Sequence, residues 1–107
     1  MDEKEDILQL GGNIELIGFR DIDNATMIVL KKIVGNTVRK FMEKTEKFEK
    51  IALSMKTVHA REKSEIYEVH ARLLCLGKKF VSTTEDRNLF FAVDKSLKKL
   101  EIEAFGK

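Results

Sequence analysis

The chain has 107 residues, of which 43% are hydrophobic and 36% charged, and its formal net charge is +2. No apolar run approaches the ~20 residues that a membrane span requires, and no signal-peptide pattern opens the chain. The single cysteine, Cys75, excludes an internal disulfide, which predicts a reducing, cytoplasmic setting.

The N-terminal segment, residues 1–12, is acidic and ends in a pair of glycines, which predicts a flexible acidic arm. Residues 13–107 are expected to form a single domain, because a chain of this length builds one hydrophobic core. The first predicted strand covers residues 13–19, with Gly18 at a bulge.

A long helix is predicted from the N-cap residue Asp23 to about Lys44. Its apolar residues recur on one narrow stripe, which consists of Met27, Leu30, Val34, Val38 and Phe41. Gly35 lies inside this helix at a cost of about 1 kcal/mol relative to alanine. It indicates either close packing or a kink.

Three further strands are predicted at residues 50–59, 65–76 and 79–84, because their side chains alternate with period two. Residues 60–64 are predicted to form a polar hairpin loop, and Gly77 is predicted to mark a tight turn. The final helix begins at the N-cap residue Asn88. Its apolar stripe consists of Leu89, Val93, Leu97 and Leu100.

The expected order is therefore β-α-β-β-β-α, an α+β fold. Its four-stranded sheet is covered on one face by two helices, and the opposite face is polar and open. This arrangement resembles a double-stranded-RNA-binding domain.

Enzyme signatures are missing from the sequence: there is no Gly-rich phosphate loop, no GxSxG motif and no distinctive carboxylate pair. His59, His70 and Cys75 match no standard zinc spacing, so we expect neither a metal nor a cofactor. Cys75 is expected in the core. The sequence predicts a protein that is not an enzyme.

Positive charge is concentrated after residue 23. Residues 1–23 carry seven acidic and two basic side chains, whereas residues 24–107 carry eleven acidic and eighteen basic ones. The basic residues that lie in and beside the two helices, off their apolar stripes, are Lys31, Lys32, Arg39, Lys40, Arg87, Lys95, Lys98 and Lys99. Clustered cations bind phosphates by releasing condensed counterions, so these residues are candidates for RNA binding. A solvated surface that keeps the domain soluble is the alternative.

Side-by-side packing of the two helices would join these residues into one continuous basic surface. The final helix also has an apolar edge away from its stripe, formed by Phe91, Ile102 and Phe105. Exposed aromatic residues among lysines stack on unpaired bases, and they equally mark a protein interface, including that of a weak homodimer. In a third interpretation the helix end folds back and buries Phe105.

The segment from residue 85 to residue 94 reads EDRNLFFAVD and is followed by Leu97, Lys99 and Leu100. It resembles the signature E-x-x-D-[ML]-[YF]-x-A-[IV]-D of the ribosome hibernation-promoting factor family, also called ribosome-associated inhibitors, in its short single-domain form. Asn88 stands where the family usually has Asp, and both residues cap helices. Asp86 stands where Gly is common, and Phe91 replaces a small residue. The strand pair at 50–59 and 65–76 resembles the family's central hairpin.

The resemblance implies a protein that binds the small ribosomal subunit in its decoding channel, blocks translation and protects idle ribosomes. The basic residues of the helices would then contact ribosomal RNA phosphates, with little reading of base sequence. Two other functions remain open. One is a general RNA-binding α+β module, and the other is a protein-interaction domain that dimerises through its apolar helix edges.

Overall fold

In the computed structural model, residues 7–59 and 65–106 are described, apart from the side chain of His59. The elements in chain order are β1 (Ile7–Leu10), β2 (Ile14–Ile17), α1 (Asn24–Lys44), β3 (Phe48–His59), β4 (Glu65–Cys75), β5 (Lys78–Asp86) and α2 (Leu89–Phe105). The strands form one five-stranded sheet in the order β1-β2-β3-β4-β5. Strands β2 and β3 are parallel, and the other neighbours are antiparallel.

The fold is α+β, as predicted, but the predictions of four strands and of the order β-α-β-β-β-α were wrong, because a further strand precedes the first predicted one. Strand β1 lies inside the segment 1–12 that was expected to be an arm, and it pairs with β2 in the register Ile7↔Ile17 to Leu10↔Ile14. The turn between them uses Gly11 and Gly12, whose φ angles of 70° and 87° suit glycine. Residues 1–6 of the predicted arm lie outside the described residues.

Helix α1 has the predicted N-cap and the predicted apolar stripe. Asp23 accepts hydrogen bonds from the backbone N–H and the hydroxyl of Thr26, at 3.1 and 2.8 Å. These hydrogen bonds lower the pKa of the Asp23 carboxyl, and the bond from the Thr26 hydroxyl has the larger effect. The five predicted stripe residues are all buried, so α1 packs its apolar side on the sheet.

Alternation along the strands assigns the two faces of the sheet. Leu16, Leu53 and Ala71 are neighbours across β2, β3 and β4, and all three are buried in the core beneath the helices. Their sequence neighbours Glu15 and Arg72 point to the opposite, open face. The predicted loop at 60–64 lies outside the described residues.

Candidate nucleic-acid interface

Helix α2 is attached to β5 by buried hydroxyl groups. Thr84 Oγ1 donates to the backbone oxygen of Ala92 at 2.7 Å and lies 2.6 Å from Ser96 Oγ. Ser82 Oγ donates to the backbone oxygen of Ser96 at 3.0 Å. These bonds fix the turn of α2 from Ala92 to Ser96 against β5, next to the position of Lys95.

Two of the α2 lysines that were candidates for RNA binding contact β5. Lys95 Nζ lies 3.0 Å from the Asp86 carboxylate and donates to the backbone oxygen of Glu85 at 3.2 Å. Lys99 Nζ donates to the backbone oxygen of Thr83 at 3.4 Å. The pKa of the Asp86 carboxyl is lowered mainly by a hydrogen bond from the backbone N–H of Asn88. The hydrogen bond from Lys95 is the second cause. Both lysines thus contribute to holding α2 against the edge strand.

The other two candidates near α2 are differently placed. Lys98 is exposed and pairs with Asp94 one turn earlier, at 3.1 Å. Such a surface pair stabilises little, so the Lys98 ammonium stays accessible to a phosphate. Arg87 is exposed and lines a shallow depression with Asp23 and Thr26, where the N-terminal ends of the two helices meet.

The four candidate basic residues of α1 have no acidic partner among the described residues, whereas Lys95 and Lys98 of α2 each pair with a carboxylate. Lys31, Lys32, Arg39 and Lys40 are all exposed, and none forms an ion pair within the part of the chain that the structure describes. No Asp or Glu occurs between Asp23 and Glu43. The outer side of α1 is therefore a cationic surface without local compensation.

The two helices are neighbours, but their basic residues do not form one continuous surface. Lys44 Nζ lies 3.2 Å from the Glu101 carboxylate, which identifies the sides on which α1 and α2 meet. Lys31 instead lines a depression with Ile7 and Leu8 of β1, at one edge of the sheet. Lys95 reaches β5 at the other edge. The basic residues therefore form two groups, separated by the line where the helices pack.

The three residues of the predicted apolar edge of α2 differ in their exposure to solvent. Phe91 and Ile102 are 60% and 58% exposed. Phe105 is half-buried, with its ring centroid 5.3 Å from that of Phe41 and Lys44 Nζ 5.7 Å above the ring. Phe105 therefore packs on the core, but α2 continues to this residue without the fold-back that the third interpretation expected, and only the other two residues remain exposed.

The open face of the sheet carries cations that the sequence analysis did not single out, although strand alternation would have found them. Lys50 Nζ pairs with Glu15 at 3.1 Å. Arg72 lies between two depressions, the larger of about 500 Å³, and has no ion pair within residues 7–59 and 65–106. Because acidic side chains are mixed among these cations, this face has less net positive charge than α1.

The two described side chains considered for a metal site do not come together. His70 lies on the open face, 3.3 Å from Glu68, whereas Cys75 is buried in the core. Burial is the main cause that raises the pKa of the Cys75 thiol, with the Glu49 charge second. Among the described residues no group of three or more His, Cys, Asp or Glu side chains is placed to hold a metal ion.

Comparison with known proteins identifies the fold. A crystal structure of the Thermus thermophilus Protein Y N-terminal domain matches 85% of this chain and 90% of that domain, with a TM-score of 0.56 and 13% sequence identity. The two share one fold. At this identity the likeness to the Protein Y domain establishes the architecture alone. No family model matches the sequence, and no curated protein matches it.

No helix among the described residues is long and apolar enough to cross a membrane.

Proposed function

We propose that the protein is a ribosome hibernation factor. It binds the small ribosomal subunit in the decoding channel through rRNA phosphates, blocks translation by occupying that channel, and protects idle ribosomes. It is not an enzyme, and it acts in the cytoplasm without a cofactor. The sequence resemblance at residues 85–94 and the fold shared with the Protein Y N-terminal domain support this proposal.

The observation that carries the proposal is the uncompensated charge of α1. Its four exposed cations meet no carboxylate within the described residues, so binding a phosphate breaks no existing ion pair. Each phosphate that they neutralise releases condensed counterions. Four such contacts predict that the logarithm of the affinity falls with the logarithm of the salt concentration with a slope of about −3.

The α2 residues take a smaller part in this proposal than the sequence suggested. A phosphate that binds Lys95 must compete with the Asp86 carboxylate and a backbone oxygen. Lys98 and Arg87 are exposed and remain secondary candidates, and Lys99 and Lys95 mainly position α2. Because Lys95 and Lys99 already contact β5, a loss of binding in their variants would not isolate a phosphate contact, which makes α1 the better place for a test.

The test is sedimentation with purified small subunits at moderate salt, compared with large subunits and with naked double-stranded RNA. We expect a preference for the small subunit. Replacing Lys32 and Arg39 together by Glu should lower affinity at least about tenfold and reduce the salt slope by about 2. The control is Lys78→Glu with Lys79→Glu, which changes the net charge equally at the β4–β5 turn.

Two outcomes would contradict the proposal in different ways. Equal binding to all three partners would identify a general RNA-binding module instead of a ribosome factor. Equal loss of binding in the α1 variant and in the control would show that total charge, and not the α1 surface, is responsible.

One observation favours a second candidate function, a domain that dimerises through α2. Phe91 and Ile102 are large, apolar and more than half exposed on the outer side of that helix. A concentration-dependent shift in size-exclusion chromatography would support this function, and a constant monomer position would exclude it.

A further inference from the structure

Gly35 lies in the interior of α1 without a structural reason inside the molecule. The helix runs unbroken from Asn24 to Lys44, and the φ angle of Gly35 is not positive. A Cβ atom built at Gly35 would have no neighbour within 4 Å. A Cβ atom therefore fits at this position without a clash. Glycine is nevertheless the least favourable residue for a helix interior apart from proline.

The surroundings of Gly35 on the helix surface are cationic. Residues three and four positions apart are neighbours on a helix, so Gly35 is flanked by Lys31, Lys32 and Arg39, while Val38 lies on the buried side. Lys32 and Arg39 are separated by about 10 Å along the helix axis. The surface of α1 at Gly35 therefore carries no side chain between these three charges, and we call this position the gap.

We propose that Gly35 is the point at which an RNA backbone lies closest to α1. A sugar–phosphate strand fits into the gap, and the three flanking cations contact phosphates on either side of it. This inference rests on the proposed function and adds to it a steric requirement at one position. Charge complementarity selects the occupant, because an uncompensated cationic surface suits a polyanion.

The test is a size series at this position, Gly35→Ala and Gly35→Leu, measured by small-subunit binding and by thermal unfolding. We expect the affinity to fall about threefold for Ala and about tenfold for Leu, because added bulk holds the strand away from the cations. The melting temperature should rise by about 5 °C for Ala, because the helix propensity improves.

The matched control is Asn36→Ala. Asn36 is exposed on the same helix, turned about 100° from Gly35, and its replacement also improves helix propensity without adding bulk at the gap. We expect unchanged affinity for this variant. If wild-type protein binds the small subunit and Gly35→Leu binds equally well, the inference is overturned while the proposed function stands.

Two further outcomes would also overturn the inference. If Gly35→Leu weakens binding to the intact subunit but not to protein-free rRNA, the partner at this position is a ribosomal protein. If the wild-type protein does not bind small subunits at all, the proposed function and the inference fail together.

Discussion

Glycine residues in this chain show how one residue type serves different physical requirements. At Gly18 the φ angle is 83°, and a Cβ atom would lie 2.5 Å from the backbone oxygen of Met55. Gly12 has a φ angle of 87° but open space around it. Glycine is therefore required at position 18 for two reasons: the positive φ angle, and the close approach of the chain to β3. The sequence predicted a bulge at Gly18 within the first strand, but β2 ends at Ile17 and Gly18 follows it, where the contact with Met55 requires glycine.

These two positions allow a paired prediction. Gly12→Ala should lower the free energy of unfolding by about 1–2 kcal/mol, the cost of a left-handed backbone for an L-residue. Gly18→Ala should cost at least about 1 kcal/mol more, because β3 must also move. Denaturant unfolding of both variants measures the difference. Equal losses would show that the Met55 contact has no energetic effect.

At the scale of elements, the sequence predicts the two helices better than it predicts the short strand β1. Both N-caps and both apolar stripes were predicted correctly, because Asp23 and Asn88 start long segments with strong periodicity. Strand β1 was missed because it has four residues, which is too few for alternation to stand out beside an acidic segment and two glycines. The Gly11–Gly12 pair is itself a signal for a hairpin between β1 and β2, but it was interpreted as the end of the acidic arm.

The attachment of α2 to β5 gives a second prediction. Thr84→Val keeps the shape of the side chain but removes the donor to Ala92, so it should lower the free energy of unfolding by about 1–2 kcal/mol. Thr83→Val is the control, since Thr83 is exposed on the other face of the same strand. Its effect should stay within about 0.5 kcal/mol.

Chemical denaturation of both threonine variants would measure these values. A loss for Thr83→Val as large as that for Thr84→Val would mean that the β propensity of the strand, and not the buried hydroxyl network, determines stability here.

For the whole molecule, the feature that decides where RNA would bind is the separation of the basic residues into two groups. One group lies on α1 towards β1, and the other lies on α2 towards β5. Helical periodicity identifies which residues are exposed, but it does not tell which element lies beside them. Lys95 and Lys31 looked equivalent in the sequence, yet one is paired with Asp86 on β5 and the other lies beside β1 without an ion pair among the described residues. Sheet order determines that difference, so only the structure could separate the two basic groups.

A cryo-electron microscopy map of this protein bound to the small ribosomal subunit tests the central claim most directly. We expect the molecule in the decoding channel, with the outer side of α1 against rRNA and Lys32 and Arg39 at phosphates. A map in which α1 faces solvent, while the open sheet face or α2 contacts the subunit, would contradict the claim.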